Sequence, residues 1–295
     1  AVSSYLSNKR GLLTHYCFFN LGGHEHEIAV KEVALYLWMR YGSSHRVKFI
    51  SVSFEAVVNE IILEVDNSQM GVVLKRMMLR VASSLAEDFS LDALVTGEAV
   101  AQVSSQTLRN LAVIDSVSEK MVLRPLIMSE KQDIIDLANK IGTEEFSAMI
   151  PEYCGVISIK PTTKARLQRI EREEEKFDFS ILDASIEAAK FSNIDQLIDE
   201  EKKVSIELQE VNFLPAKAIV IDIRHPSEVE LSSLNIAGNE IKIIPFFKLK
   251  TAFESGDISK NTQLFLYCDK GIMSRLHASY LVEKGYSNVG VYRPR

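Results

Sequence analysis

The feature that most constrains the fold of this chain is the steady exchange of apolar β-type runs for helical patterns, with only short connections between them. Residues 12–21 (LLTHYCFFNL) read as a strand. Residues 24–42 read as a helix with Ile28, Val33, Leu35 and Leu37 among its apolar positions and Gly42 as its stop, and 45–54 as another strand. A long helix over 71–89, a short strand over 93–98 running into a glycine turn, a strand over 121–127 and a helix over 130–142 ending on glycine continue the series. Strands joined through helices lie parallel and are covered on both faces. Such sheets hold ligands at the carboxyl ends of their strands. The segments CFFN and TGEAVAQVSSQT are expected there.

The character changes from about Thr163, where a charged, glycine-poor stretch (ARLQRIEREEEKFDFSILDASIEAAKF) reads as helical and connecting, its charges as a solvated face. From Glu210 onward the strand pattern returns over 218–224, 240–246, 262–268 and 289–294, with a helix over 274–285. The expected organisation is an α/β domain over 1–165, a helical linker over 166–210 and a small α/β domain over 211–295. The opening residues, AVSSYLSNKRG, read as a helix already under way with Gly11 as its C-cap, as if the chain were cut on its N-terminal side.

No run of apolar residues is long enough to span a membrane, and no secretory signal opens the chain. Three cysteines, odd in number and widely spaced, do not make a secreted disulfide framework, so a reducing, cytoplasmic setting fits. A net charge of −6 argues against an indiscriminate nucleic-acid binder while leaving room for one basic face. Lys75, Arg76 and Arg80 share one helix and are expected to be solvated. HEHE at 24–27 lacks a third ligand, so no metal site is expected. Cys17, in mid-strand, reads as an inert core residue.

The informative cysteines are the other two. Cys268 ends a strand, and CDKGIMSR leads from it into a helix. A helix start offers unpaired N–H groups and the positive end of the macrodipole, and a glycine lets the loop curl around one atom. Gly271, Ser274 and Arg275 supply the parts of an anion pocket for a thiolate or a persulfide sulfur. In tyrosine-type phosphatases the loop arginine falls six positions after the cysteine; here that position is Ser274, which disfavours phosphate ester hydrolysis. A buried structural cysteine at a strand end fits the spacing too. Cys154 also lies in a loop beside a glycine.

Two levels of resemblance follow from these motifs. The last section resembles a rhodanese domain, through VIDIR with Asp222 and Arg224, the CDKGIMSR loop and GYSNVGVY. The whole chain resembles the tRNA 4-thiouridine synthetases, the ThiI tRNA sulfurtransferases that end in a rhodanese domain. HYCFFNLGG, LKRMM, TGEAVAQVSSQT, LRPLI, PEYCGVIS, EEEKFDFSILD and CDKGIMSR occur in the family's order. The resemblance implies a PP-loop domain (adenine nucleotide alpha hydrolase-like) followed by a rhodanese.

It further implies ATP-dependent adenylation of a tRNA uridine and replacement of the activated oxygen by sulfur. Cys268 would carry the persulfide, delivered by a cysteine desulfurase, and Cys154 would resolve the intermediate as a Cys154–Cys268 disulfide, so the two would have to meet. Phe18, Phe19, Lys75, Gly97 and Gln106 match the family's ATP contacts, with Mg2+ expected alongside, and Lys131 matches a position that aids activation. Sulfur delivery to a carrier protein of thiamine thiazole synthesis is also implied. The family's phosphate loop, of the type Ser-Gly-Gly-x-Asp-Ser, would lie directly before Ala1, which leaves a persulfide carrier that does not act on RNA, or a non-catalytic remnant, as the alternatives.

Overall fold

Helix α1 (Val2–Lys9) is stopped as expected by Gly11, which adopts a left-handed φ of +82°. The fold is that of a computed structural model describing residues 1–21, 24–148, 150, 158, 160–196, 208–215, 218–236, 238–255, 258, 263–269 and 271–294. They divide into two units, Ala1–Ile194 and Asp195–Arg295.

In the first unit the order continues with β1 (Tyr16–Asn20), α2 (His24–Tyr41), β2 (Lys48–Ser53), α3 (Glu55–Glu64), α4 (Met70–Asp88), β3 (Ala93–Val95), α5 (Leu108–Asp115), β4 (Met121–Leu123), α6 (Lys131–Ile141) and α7 (Glu144–Ser147). It closes with α8 (Leu167–Glu174), α9 (Phe179–Glu187) and β5 (Lys190–Asn193). Strand β1 runs parallel to β2 with Phe18 opposite Ser51, and β3 runs parallel to β4 with Leu94 opposite Val122. Helix α4 organises the core. Its buried Met70, Val73, Leu74, Met77, Val81 and Leu85 recur every three or four residues, so one stripe faces inward. That stripe packs with Val52, Phe54, Ile61, Ile114 and Ile170. Each fully buried aliphatic side chain of this kind contributes roughly 1.5–3 kcal/mol.

Three expectations are corrected, the first because Arg76 of α4 is 2% exposed and not solvated. The charged segment after Thr163 is not simply a linker: α8 and α9 pack on α4, and β5 pairs antiparallel with β2, setting Phe191 opposite Ile50. Glu173 and Glu174 are buried rather than solvated. Their charge had hidden an amphipathic helix whose apolar Ile170 is fully enclosed. Cys17 is exposed, not core, because the alternation along β1 turns Phe18 inward and Cys17 outward.

The second unit has β6 (Glu210–Val211), β7 (Ile219–Asp222), α10 (Pro226–Leu231), β8 (Glu240–Ile243), α11 (Phe246–Glu254), β9 (Leu264–Tyr267), α12 (Ile272–Glu283) and β10 (Val289–Tyr292). The strands form one parallel sheet in the order β6-β10-β9-β7-β8. The continuous apolar runs of β7 and β9 follow from burial on both faces. Gly290 in β10 is sterically required: a Cβ there would lie 2.7 Å from the Gln209 carbonyl oxygen and 2.8 Å from the Phe265 ring. Gly290→Ala is therefore expected to destabilise this unit by about 1–3 kcal/mol, read as a lower urea midpoint.

Candidate functional site

Strand β9 sits at the centre of its sheet and delivers Cys268 at its carboxyl end. The loop then turns through Gly271, whose φ of +70° is left-handed and whose N–H donates to the Cys268 carbonyl at 3.1 Å. Gly271 is also the N-cap of α12, so the helix begins two residues earlier than the sequence pattern suggested. Met273 and Ser274 thus fall in the first turn, where N–H groups have no helical acceptor. The Ser274 N–H points at Cys268 Sγ at 3.4 Å, and the Ser274 hydroxyl lies 3.4 Å from the same atom.

Cys268 is 6% exposed. Burial pushes its thiol above the ordinary value, against the opposing pull of the Ser274 hydroxyl and the N–H groups of Ser274, Met273 and Gly271. The donors are nonetheless arranged around the sulfur, where they favour any anion formed at or next to it.

A charged cluster flanks the loop. Buried Arg224 grips buried Asp222 at 2.9 and 2.7 Å, and its other nitrogen donates to Asp269 at 3.0 Å. Tyr267 donates to the same Asp269 oxygen at 3.0 Å; burial, then this partner, push its phenol up to about 12. Its ring lies under the Arg224 guanidinium. Arg275, expected beside the sulfur, is instead ion-paired with Glu210 of β6.

Within the first unit, Lys75 of α4 reaches the turn after β3. Its ammonium lies 2.5 Å from Glu98, the residue next to Gly97. Burial works against the Glu98 carboxylate, but Lys75 and Arg124 outweigh it and hold the carboxyl below its usual range. Arg124 bonds Glu98 at 2.9 Å and Asp115 at 2.6 and 2.8 Å. Gly97 is exposed, and a Cβ there would meet only the Ser3 hydroxyl at an ordinary 3.6 Å, so the protein itself does not demand glycine.

The loop beyond Gly97 closes through the Ala101 N–H, which donates to the Gln106 carbonyl at 3.0 Å; Ala101 is held at φ +61°. Buried Asn110 fixes the same loop, donating to the carbonyls of Ser104 and Thr162 at 2.8 Å. The Gln106 side-chain oxygen is buried without a hydrogen-bond partner among the described residues.

Phe18 is buried against His26 and Phe49, and Phe19 lies edge-on to Phe54, both on a different sheet from the Gly97 turn. Lys131 is exposed at the start of α6. Cys154 lies outside the described residues. Sequence reasoning missed Glu98 and Arg124, although both stand inside quoted motifs. It also missed Arg293, which follows β10 and packs against Gly271.

The thiamine biosynthesis protein (ThiI) family model matches residues 1–179 and the rhodanese-like domain model matches residues 207–293. The chain is 58% identical to a tRNA sulfurtransferase of Saccharophagus degradans and 56% identical to one of Azotobacter vinelandii, in each case over 99% of this chain and 60% of the relative. It thus spans about three-fifths of the length of these relatives. A solved 4-thiouridine synthetase–RNA complex with bound ATP is similar in fold, with a TM-score of 0.61 and 26% identity, covering 65% of this chain and 51% of that one. Matched along both of its units, the chain belongs to the ThiI family, in the form that carries a rhodanese-like domain.

Proposed function

We propose that this chain carries sulfur as a persulfide on Cys268 and takes part in thiolation of a tRNA uridine activated by adenylation. The observation that carries the proposal is the Cys268 sulfur facing the first-turn N–H groups of α12 at the end of the central strand. The thiolate attacks the outer sulfur of a donor persulfide, and the donor thiolate leaves. The new persulfide anion attacks the activated uridine carbon and expels AMP, a far better leaving group than oxide. Cys154 then attacks Cys268 Sγ, expelling 4-thiouridine and forming a disulfide that a thiol reductant reopens. A cysteine desulfurase as donor, Mg2+ arriving with the nucleotide, a cytoplasmic setting and sulfur delivery toward thiamine belong to the same proposal. Membership of the thiamine biosynthesis protein (ThiI) family supports the last of these.

For the nucleotide, the Gln106 oxygen, which has no partner among the described residues, is a ready acceptor for an amino or hydroxyl group, and Lys75 is paired with Glu98, the neighbour of the exposed Gly97. Gln106→Ala should weaken ATP binding about 5–10-fold, the worth of one hydrogen bond, as read by calorimetry. The function is tested with the chain extended to its relatives' full length and supplied with tRNA, ATP, cysteine and a desulfurase. Near-ultraviolet absorbance of thiolated tRNA should appear with the unaltered sequence and vanish in Cys154→Ala. Full activity of that variant overturns the two-cysteine scheme. A persulfide without any thionucleoside would favour the carrier reading, for which the self-contained second unit suffices.

A further inference from the structure

Glu98 is 9% exposed, yet it stands among three donors. Its Oε1 accepts from the Lys75 ammonium at 2.5 Å, and its Oε2 from Arg124 Nε at 2.9 Å and the Thr96 hydroxyl at 3.1 Å. Arg124 is itself held by a two-pronged grip on Asp115. The Thr96 N–H donates to the Leu123 carbonyl at 3.0 Å, which ties together the strand ends that carry these donors. One carboxylate oxygen is therefore fixed by the ends of β3 and β4, and the other is left to Lys75.

Lys75 is bound less completely. An ammonium has three N–H donors. Glu98 takes one, and among the described residues no hydrogen bond or ion pair of Lys75 to any other group is seen. The side chain keeps 21% of its surface exposed. It stands at the carboxyl end of a parallel strand, where α/β sheets hold their ligands. The cluster has no net charge, because the cations Lys75 and Arg124 face the carboxylates Glu98 and Asp115. An incoming anion would gain little from the general field there and more from an ammonium already aimed. A free lysine side chain has to lose its rotamer freedom on binding; one fixed beforehand does not.

We propose that Glu98 is a positioning residue for the nucleotide, holding the Lys75 ammonium at the end of β3 so that its spare N–H donors meet a phosphate. This rests on the reading that the chain binds ATP. Glu98 acts through Lys75 and does not itself touch the ligand, and Arg124 orients Glu98.

The chain extended to its relatives' full length tests this, titrated with a fluorescent ATP analogue against which ATP and adenosine compete. Glu98→Gln should weaken ATP about fivefold, the difference between a charged and a neutral hydrogen-bonded anchor, and leave adenosine, which has no phosphate, within about twofold. Lys75→Met should also weaken ATP, and in that background Glu98→Gln should cost nothing further. Arg124 keeps its grip on Asp115 when Glu98 is changed, so Glu98→Gln should fold. Equal losses for ATP and adenosine would make Glu98 a structural residue and overturn the inference. Unchanged or tighter ATP binding would make its carboxylate a mere charge offset and overturn it too, as would an undiminished loss in the Lys75→Met background. Absence of ATP binding by the unaltered extended chain overturns the nucleotide reading and the inference with it.

Discussion

Cys268→Ala should remove persulfide formation altogether, with no sulfur mass added by any donor and sulfur transfer to cyanide down by at least about 10³-fold. The loss is total because the thiol is the nucleophile and covalent catalysis has no substitute for it. The exposed Cys17 stands on β1, in the other unit, and no N–H group among the described residues is hydrogen-bonded to its sulfur. Cys17→Ala should therefore load as the unaltered chain does. Ser274→Ala is the graded companion. It deletes a hydroxyl 3.4 Å from Sγ but keeps the backbone N–H at the same distance, so activity should fall only about 3–10-fold. Because Cys268 is buried, Cys268→Ser is the shape-preserving control: it should unfold at an unchanged urea midpoint while remaining unloaded. Persulfide on the protein in Cys268→Ala would show that another residue carries the sulfur.

The sulfur loop was legible because its signal is local. A strand end, a glycine and a helix start are adjacent in the chain, and Gly271 adopts the positive φ that the motif implied. The strands flanking it were legible as apolar runs for the same reason. What local reading missed was set by partners distant in sequence. Arg275 looked like part of the pocket until Glu210, in a two-residue strand too short to recognise, claimed it. Lys75 on a helix said nothing by itself; Glu98 and Arg124 give it a direction, and each comes from a different turn of the sheet. The run REEE read as a solvated face because charge usually means exposure. The exception needed an arginine from α4 to meet it.

That exception makes Arg76→Ala the substitution with the largest expected effect on stability. Arg76 is 2% exposed and forks onto Glu174 at 2.5 and 2.8 Å, while its remaining nitrogen donates to the Val113 carbonyl at 2.6 Å and the Ser116 hydroxyl at 2.8 Å. It ties α4, α5 and α8 together. Truncation leaves Glu174 buried with only the partly exposed Arg80, at 3.0 Å, among its described partners. Stranding one member of a buried pair costs about 3–5 kcal/mol. Against the 5–15 kcal/mol that holds a typical domain, the first unit should lose about a fifth or more of its stability. Trp38, the single tryptophan, lies on α2 of that unit and reports its urea unfolding by fluorescence. Arg76→Lys should rescue little, since a point charge cannot replace the two-pronged fork. Arg76→Met combined with Glu174→Leu should recover most of the loss, because an apolar pair of similar volume avoids the desolvation that the ions suffer. A single-mutant loss below about 1 kcal/mol would mean that Glu174 relaxes to solvent when its partner is removed, and that packing around Ile170 holds α8 in place without the ion pair.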